Sequence, residues 1–238
     1  MKYILSYGGG VNSTALYFYI QEKKLPLDLI VFCDTGVEHT YTYELVEKMK
    51  KLVKPEFVTV ESNLGTLYEY YFKVKKIPSF MKRDCTSKFK IYPMRRYLRK
   101  RYGKKEIFGL YLGIAYEEFT RMKKADVKYI TNLYPFCEDK ITRDGNLEIL
   151  KRYGIEAKKS GCIGCIYNRK SEWLKLLKEH EDEFMKYELL DKNNSRYPEI
   201  SLINGSTMER FRKAVEQQLS FDIPEAEPNC AIYGSCFL

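Results

Sequence analysis

The segment Ser6-Tyr7-Gly8-Gly9-Gly10-Val11-Asn12-Ser13-Thr14 constrains the fold of this chain more than any other. It lies between a short apolar run, residues 3–6, and residues 14–21, whose apolar spacing suits a helix. Three adjacent glycines let the backbone turn sharply and bring its N–H groups close to an anion, and a helix starting near Asn12 adds its positive dipole end. Ser13 and Thr14 can donate hydroxyl hydrogen bonds to the same anion, so the loop is expected to hold a phosphate. No Lys-Ser/Thr pair follows the last glycine, as a Walker loop requires, and the glycine spacing is not that of a dinucleotide fold.

The alternation continues beyond the loop. Residues 27–33 are a second apolar run fit for a buried parallel strand, residues 40–52 show helical periodicity, and residues 57–60 read as a third strand. A basic helix is expected over residues 93–102, a strand over 106–113 and a loop of mixed character over 115–132. Long amphipathic helices are expected over 172–190 and 207–219, the second introduced by Ser206 as its cap, and residues 221–238 read as an ordered tail. The pattern predicts an α/β fold with a doubly wound, mostly parallel sheet whose ligands sit beyond the carboxyl ends of the strands. The expected division is a nucleotide-binding domain over residues 1–155 and a smaller helical, cysteine-containing region over 156–238.

With 238 residues, 45% of them hydrophobic, the chain can bury a substantial core. It has no apolar run long enough to span a bilayer and no signal-peptide pattern, so a cytoplasmic protein with no membrane partner is expected. Seven cysteines in that setting read as thiols, metal ligands or redox groups rather than disulfides. The net charge of +9 favours anionic partners without choosing among a nucleotide, a nucleic acid and a sulfate ester. Much of the excess lies in residues 82–105, where lysines and arginines interleave with Tyr92, Tyr97 and Tyr102. That run fits a nucleic-acid face, and equally a solvated helix beside a core stripe of Ile91, Met94 and Leu98.

Several segments, in order, resemble one superfamily. Gly8-Gly9-Gly10-Val11-Asn12-Ser13 resembles the Ser-Gly-Gly-x-Asp-Ser loop of PP-loop ATP pyrophosphatases, with Gly8 replacing the Ser and Asn12 the Asp. Phe32-Cys33-Asp34-Thr35-Gly36-Val37-Glu38 resembles the Phe-x-Asp-Thr-Gly-x-Glu segment of the phosphoadenosine phosphosulfate (PAPS) reductase branch. Cys85-Thr86-Ser87-Lys88-Phe89-Lys90-Ile91-Tyr92-Pro93 is similar to the Cys-Cys-x-x-x-Lys-x-x-Pro segment of iron–sulfur adenylylsulfate reductases, with Thr86 in place of the second Cys. Gly113 to Arg121 resembles a Gly-Ile-x-x-x-Glu-x-x-Arg pattern, and Cys162-Ile163-Gly164-Cys165 the later Cys-x-x-Cys.

The resemblance covers roughly residues 3–175 and implies an adenine nucleotide alpha hydrolase-like fold. It implies ATP with Mg²⁺ held by Ser6, Gly8, Gly9, Gly10, Asn12, Ser13, Thr14, Asp34, Thr35, Gly36 and Gly113. Asp34 would place Mg²⁺ or the ribose, Lys88 and Arg121 would neutralise developing charge, and Glu118 would orient Arg121. A surface ion pair is the other reading of Glu118 and Arg121, and Arg143 is a second anion-binding candidate.

Cys162 and Cys165 are spaced for two thiolates to grip one metal ion, and Cys85, Cys230 and Cys236 are candidates for the remaining ligands. Such a site could hold zinc or a [4Fe–4S] cluster, and the resemblance favours the cluster because Cys85 matches a cluster ligand. Cys33 and Cys137 read as inert core residues. The leading expectation is an enzyme that adenylylates an acceptor with ATP, giving AMP and pyrophosphate, for sulfur transfer from a donor to a tRNA, a DNA or a small molecule. One alternative is a thiol-dependent reductase of adenylylated sulfate using Cys236 and a thioredoxin-like partner, although the Glu-Cys-Gly-x-His segment of such reductases is absent. Another is a non-catalytic adenylate-sensing or nucleic-acid-binding module.

Overall fold

Five short runs rich in β-branched and aromatic residues pair side by side: β1 (Lys2–Tyr7), β2 (Leu29–Asp34), β3 (Glu56–Glu61), β4 (Phe108–Tyr111) and β5 (Ile130–Leu133). In this computed structural model, which describes residues 1–217, they form one sheet of order β3-β2-β1-β4-β5. Every pairing is parallel. Alternate residues face opposite sides of the sheet. Leu5, Tyr7, Ile30 and Phe32 enter one core, while Ile4, Leu29, Val31 and Cys33 enter the other. A sheet buried on both faces needs helices on both, and the fold is accordingly α/β.

The first core is completed by α1 (Val11–Glu22), α2 (Thr40–Leu52) and α7 (Arg143–Arg152). Residues on every side of α1 are buried, because it lies against the sheet and also packs on α7. The second core takes Met94 and Leu98 from α5 (Tyr92–Tyr102). That helix is preceded by a short α4 (Asp84–Thr86) and a π-helical turn (Ser87–Ile91). Pro93 has no N–H to return to the Lys88 carbonyl five residues back, and Ser62 Oγ donates to that carbonyl at 3.1 Å.

Two compact units emerge, and they divide the chain differently from a linear cut at residue 155. The first comprises Met1–Asn63 and Thr86–Cys162, holding the whole sheet. The second comprises Leu64–Cys85 and, among the described residues, 163–217. It contains α3 (Leu67–Lys73), α8 (Lys170–Glu179), α9 (Glu181–Lys192) and α10 (Met208–Glu216) around Trp173, Phe184, Tyr187 and Phe211. Gly164 is a packing glycine there, since a Cβ would lie 1.8 Å from the Tyr187 ring.

Three local expectations are corrected. Residues 172–190 form two helices, because His180 leaves the helical region (φ −147°, ψ 64°) and Glu181, Asp182 and Glu183 favour a new amino terminus. The bend brings Phe184 and Tyr187 edge-on to Trp173. The cap of α10 is Thr207, whose hydroxyl accepts from the Arg210 N–H at 3.2 Å, and not Ser206. Residues 115–132, read as a loop, contain a 3₁₀ helix (Tyr116–Arg121) and the first residues of β5, with α6 (Pro135–Glu138) following that strand. Residues 218–238, with the expected tail and Cys230 and Cys236, lie outside the described residues. Among the described residues no helix is long and apolar enough to cross a membrane.

Candidate functional site

The order β3-β2-β1-β4-β5 reverses direction between β1 and β4, and the loops leaving those two strands open a crevice at their carboxyl ends. An open concavity lies there, enclosing about 700 Å³ of space that is continuous with solvent. It is lined by Ser6, Gly8, Gly10, Asn12 and Ser13 from the first loop and by Leu112, Gly113 and Ile114 from the second. Close approach of backbones makes two glycines necessary. A Cβ on Gly113 would lie 2.9 Å from the Asn12 carbonyl carbon and 3.0 Å from Ser13 N, and one on Gly10 would lie 2.6 Å from Ser160 Oγ.

The remaining wall is cationic: Lys90, Arg143 and Lys159 line the concavity, and among the described residues no Asp or Glu does. Lys90 comes from the π-helical turn, and its ammonium lies 3.4 Å from Glu38 Oε1. Burial pulls the Lys90 pKa down, but the Glu38 carboxylate, followed by Cys162 and Cys33, more than offsets this and holds it above the ordinary lysine value. Glu38 is only 2% exposed and also accepts from Thr35 Oγ1 at 3.0 Å. Cys162 is bridged to Glu38 through the backbone, with its sulfur 3.4 Å from Thr35 Oγ1 and 3.8 Å from Glu38 Oε1.

Of the residues named from sequence, Ser6, Gly8, Gly10, Asn12, Ser13 and Gly113 come together on the lining. Others are turned elsewhere. Thr14 is fully buried, its hydroxyl donating to the Gly10 carbonyl at 2.8 Å and lying 2.9 Å from Tyr7 OH. Gly9 adopts φ +70° and presses on Thr42. Asp34 Oδ1 accepts from the Gly36 N–H at 2.7 Å and the Tyr43 hydroxyl at 2.8 Å, tying off the turn after β2, while Thr35 serves Glu38. Arg121, 5% exposed, is paired with Glu118.

Lys88 is not on the lining, and Lys90 is. Lys88 and Lys90 both belong to the π-helical turn that precedes α5. A signal for Lys90 was present, because the lysine of the resembled segment stands three residues before its proline and Lys90 stands three before Pro93. Lys159 and Ser160 carried no sequence signal. They reach the loop because the Tyr41 hydroxyl donates to the Lys159 carbonyl at 2.7 Å.

The asparagine replacing the loop's usual aspartate has a local cause. Asn12 Nδ2 donates to Glu118 Oε2 at 3.1 Å, and its Oδ1 accepts from Asn146 Nδ2 at 3.1 Å. Only an amide can do both. Asn12→Asp would set two carboxylates in contact and is expected to cost about 1–3 kcal/mol at neutral pH. The repulsion raises the folded-state pKa of the pair, so the loss should shrink as pH falls through that value, and Asn12→Asp with Glu118→Gln should remove it. Urea unfolding at neutral and mildly acidic pH checks both.

Among the described residues no three of His, Cys, Asp and Glu are gathered as metal ligands, and Cys230 and Cys236 lie outside them. Cys162 faces Thr35 and Glu38, whereas Cys85 and Cys165 are half-buried in or next to the second unit's helical elements. Burial pushes the Cys33 thiol up to about 12, in keeping with a core role although it touches the concavity. Cys137 is half-buried and donates to the Ile114 carbonyl at 3.4 Å.

The basic run is largely committed to the fold. Arg95 pairs with Asp126, Arg101 with Glu56, and Arg99 donates to the carbonyls of Gly103, Lys104 and Glu106 while stacking on Tyr129. Arg96, Lys100, Lys104 and Lys105 stay exposed.

A parallel sheet of this order, with a triple-glycine turn entering a helix at its switch point, defines an α/β protein of the PP-loop, adenine nucleotide alpha hydrolase-like class. The chain belongs to the phosphoadenosine phosphosulfate reductase domain family, whose model matches residues 2–130. A relative in Escherichia phage lambda, the uncharacterized nin region protein ORF290, is 24% identical over 195 residues, 68% of this chain. The match spans 65% of that relative's length. Among solved structures, PAPS reductase from Candida auris in its phosphate complex aligns with a TM-score of 0.51 at 14% identity, over 66% of this chain and 75% of that one. The U34-tRNA thiolase NcsA from Methanococcus maripaludis, with its [4Fe–4S] cluster, aligns at 0.45 and 15% identity, over 90% of this chain and 81% of that one.

Proposed function

We propose that the concavity binds ATP with its phosphates on the Gly8–Ser13 loop, and that the chain transfers the adenylyl group to an acceptor for later attack by sulfur. The observation that carries this reading is the charge of the wall: Lys90, Arg143 and Lys159 line the concavity with the glycine loop at a helix amino terminus, with no carboxylate among the described lining residues. The acceptor's oxygen would attack the α-phosphorus, forming one P–O bond as the bond to the bridging oxygen breaks and pyrophosphate leaves. Loop amides and Ser13 would hold the departing phosphates, and the three cations would take up the charge that collects on them. The described residues of this lining offer a metal no carboxylate, so no step is routed through a protein-held Mg²⁺. A zinc ion or iron–sulfur cluster is likewise left out, since the described residues supply no three-ligand set.

The test is isotope exchange between pyrophosphate and ATP in the presence of candidate acceptors, with AMP measured alongside. Exchange with AMP release is expected. Release of sulfite from adenylylated sulfate with no exchange would replace this reading by the reductase one, and tight AMP binding without product would replace it by a sensing role.

A further inference from the structure

The stretch that follows β4 carries a feature the nucleotide site does not use. Phe119, Met122 and Tyr116 are 56%, 43% and 38% exposed, and the Tyr116 and Phe119 rings lie nearly parallel at 6.2 Å. Lys123, Lys124 and Lys128, all exposed, come directly after. The acidic residues nearby are already engaged. Glu117 accepts the Arg143 N–H at 2.7 Å, Glu118 is taken by Arg121 and Asn12, and Asp126 is paired with Arg95. What remains outward is aromatic faces beside Lys123, Lys124 and Lys128, with the exposed Glu117 carboxylate, held by a backbone N–H, between the rings in sequence.

We infer that this surface binds single-stranded nucleic acid, which rests on the adenylyl-transfer reading for its role as acceptor. Exposed rings stack on bases of any sequence, and flanking cations track the phosphates. A folded protein partner would call for a broader apolar patch with a satisfied polar rim, and a duplex would hide the base faces that the rings would meet. The surface is tied to the reaction site through backbone and side chain, since Glu117 and Glu118 hold the first turn of α7 and Asn12 of the glycine loop. A second concavity, of about 720 Å³, opens beneath Lys123 and Lys124 and shares Ser6 and Lys90 with the first. A nucleotide passing from the rings into it would arrive at the lysine that faces the phosphates.

The experiment measures fluorescence anisotropy of the full chain with short labelled single-stranded RNA and DNA, the matching duplex, and a polyglutamate peptide. Single strands are expected to bind well above the other two. Tyr116→Ala with Phe119→Ala should weaken that binding about tenfold or more, and Lys123→Ala with Lys124→Ala should lower the salt slope by about 1.4. Binding of labelled ATP, measured on the same variants, should be unchanged, because none of the four residues lines the glycine-loop concavity. Equal binding of duplex or polyglutamate, or single-strand binding indifferent to the ring deletions, would overturn the inference. Loss of ATP binding by the wild-type chain would instead strike the reading in the previous subsection.

Discussion

Lys90→Met is expected to lower pyrophosphate exchange by a factor of about 10²–10³, the scale on which removal of one preorganised charge-stabilising group acts in a water-poor site. Lys90 is the lining cation drawn from inside the helical run, and it is paired with the buried Glu38 carboxylate, so its ammonium is held in place before any ligand arrives. The substitution also strands Glu38, which confuses lost chemistry with lost structure. Lys90→Met combined with Glu38→Gln separates them. The double variant should recover most of the urea midpoint lost by the single one, and should not recover exchange. If exchange returned with stability, Lys90 would be a structural lysine only.

The second large effect is on folding. Glu38→Ala leaves the Lys90 ammonium without its nearest carboxylate and removes the acceptor for Thr35, and should cost about 3 kcal/mol in urea unfolding. The sign with pH follows from the raised pKa of Lys90. Its contribution to stability is fully present below the ordinary lysine value, about 10.4, and is lost as pH rises through the higher folded-state value. The stability that Lys90 gives the wild type should therefore be flat across neutral pH and fall only in strongly alkaline solution, whereas in Glu38→Ala the buried ammonium loses its main offset to burial and the deficit should shrink at a lower pH than that.

Much of the site was legible because its elements are local. Ser6, Gly8, Gly10, Asn12 and Ser13 lie on the lining, and they are contiguous along the strand–turn–helix passage. Gly113 was named as a ligand-side residue, and the structure adds that its lack of a Cβ lets the second loop touch the first turn of α1. Thr14 and Asp34 were named by the same logic, and the structure shows the Thr14 hydroxyl bonded to Gly10 and Asp34 Oδ1 to Gly36 and Tyr43. A motif lists which residues are near a ligand without saying which way each points. The basic run shows the same limit, for its charge was plain but the partners of Arg95, Arg99 and Arg101 lie far along the chain or in carbonyls of the following turn.

By itself, the order of apolar runs and glycines determined the α/β class, the parallel sheet and the seat of the glycine loop, because strand burial, helix periodicity and a turn that admits no side chain are properties of neighbouring residues. Only the tertiary structure decided that Glu38 holds Lys90 at the concavity and that Lys159 and Ser160 close over the loop. Those depend on contacts between segments more than fifty residues apart, which local spacing does not encode.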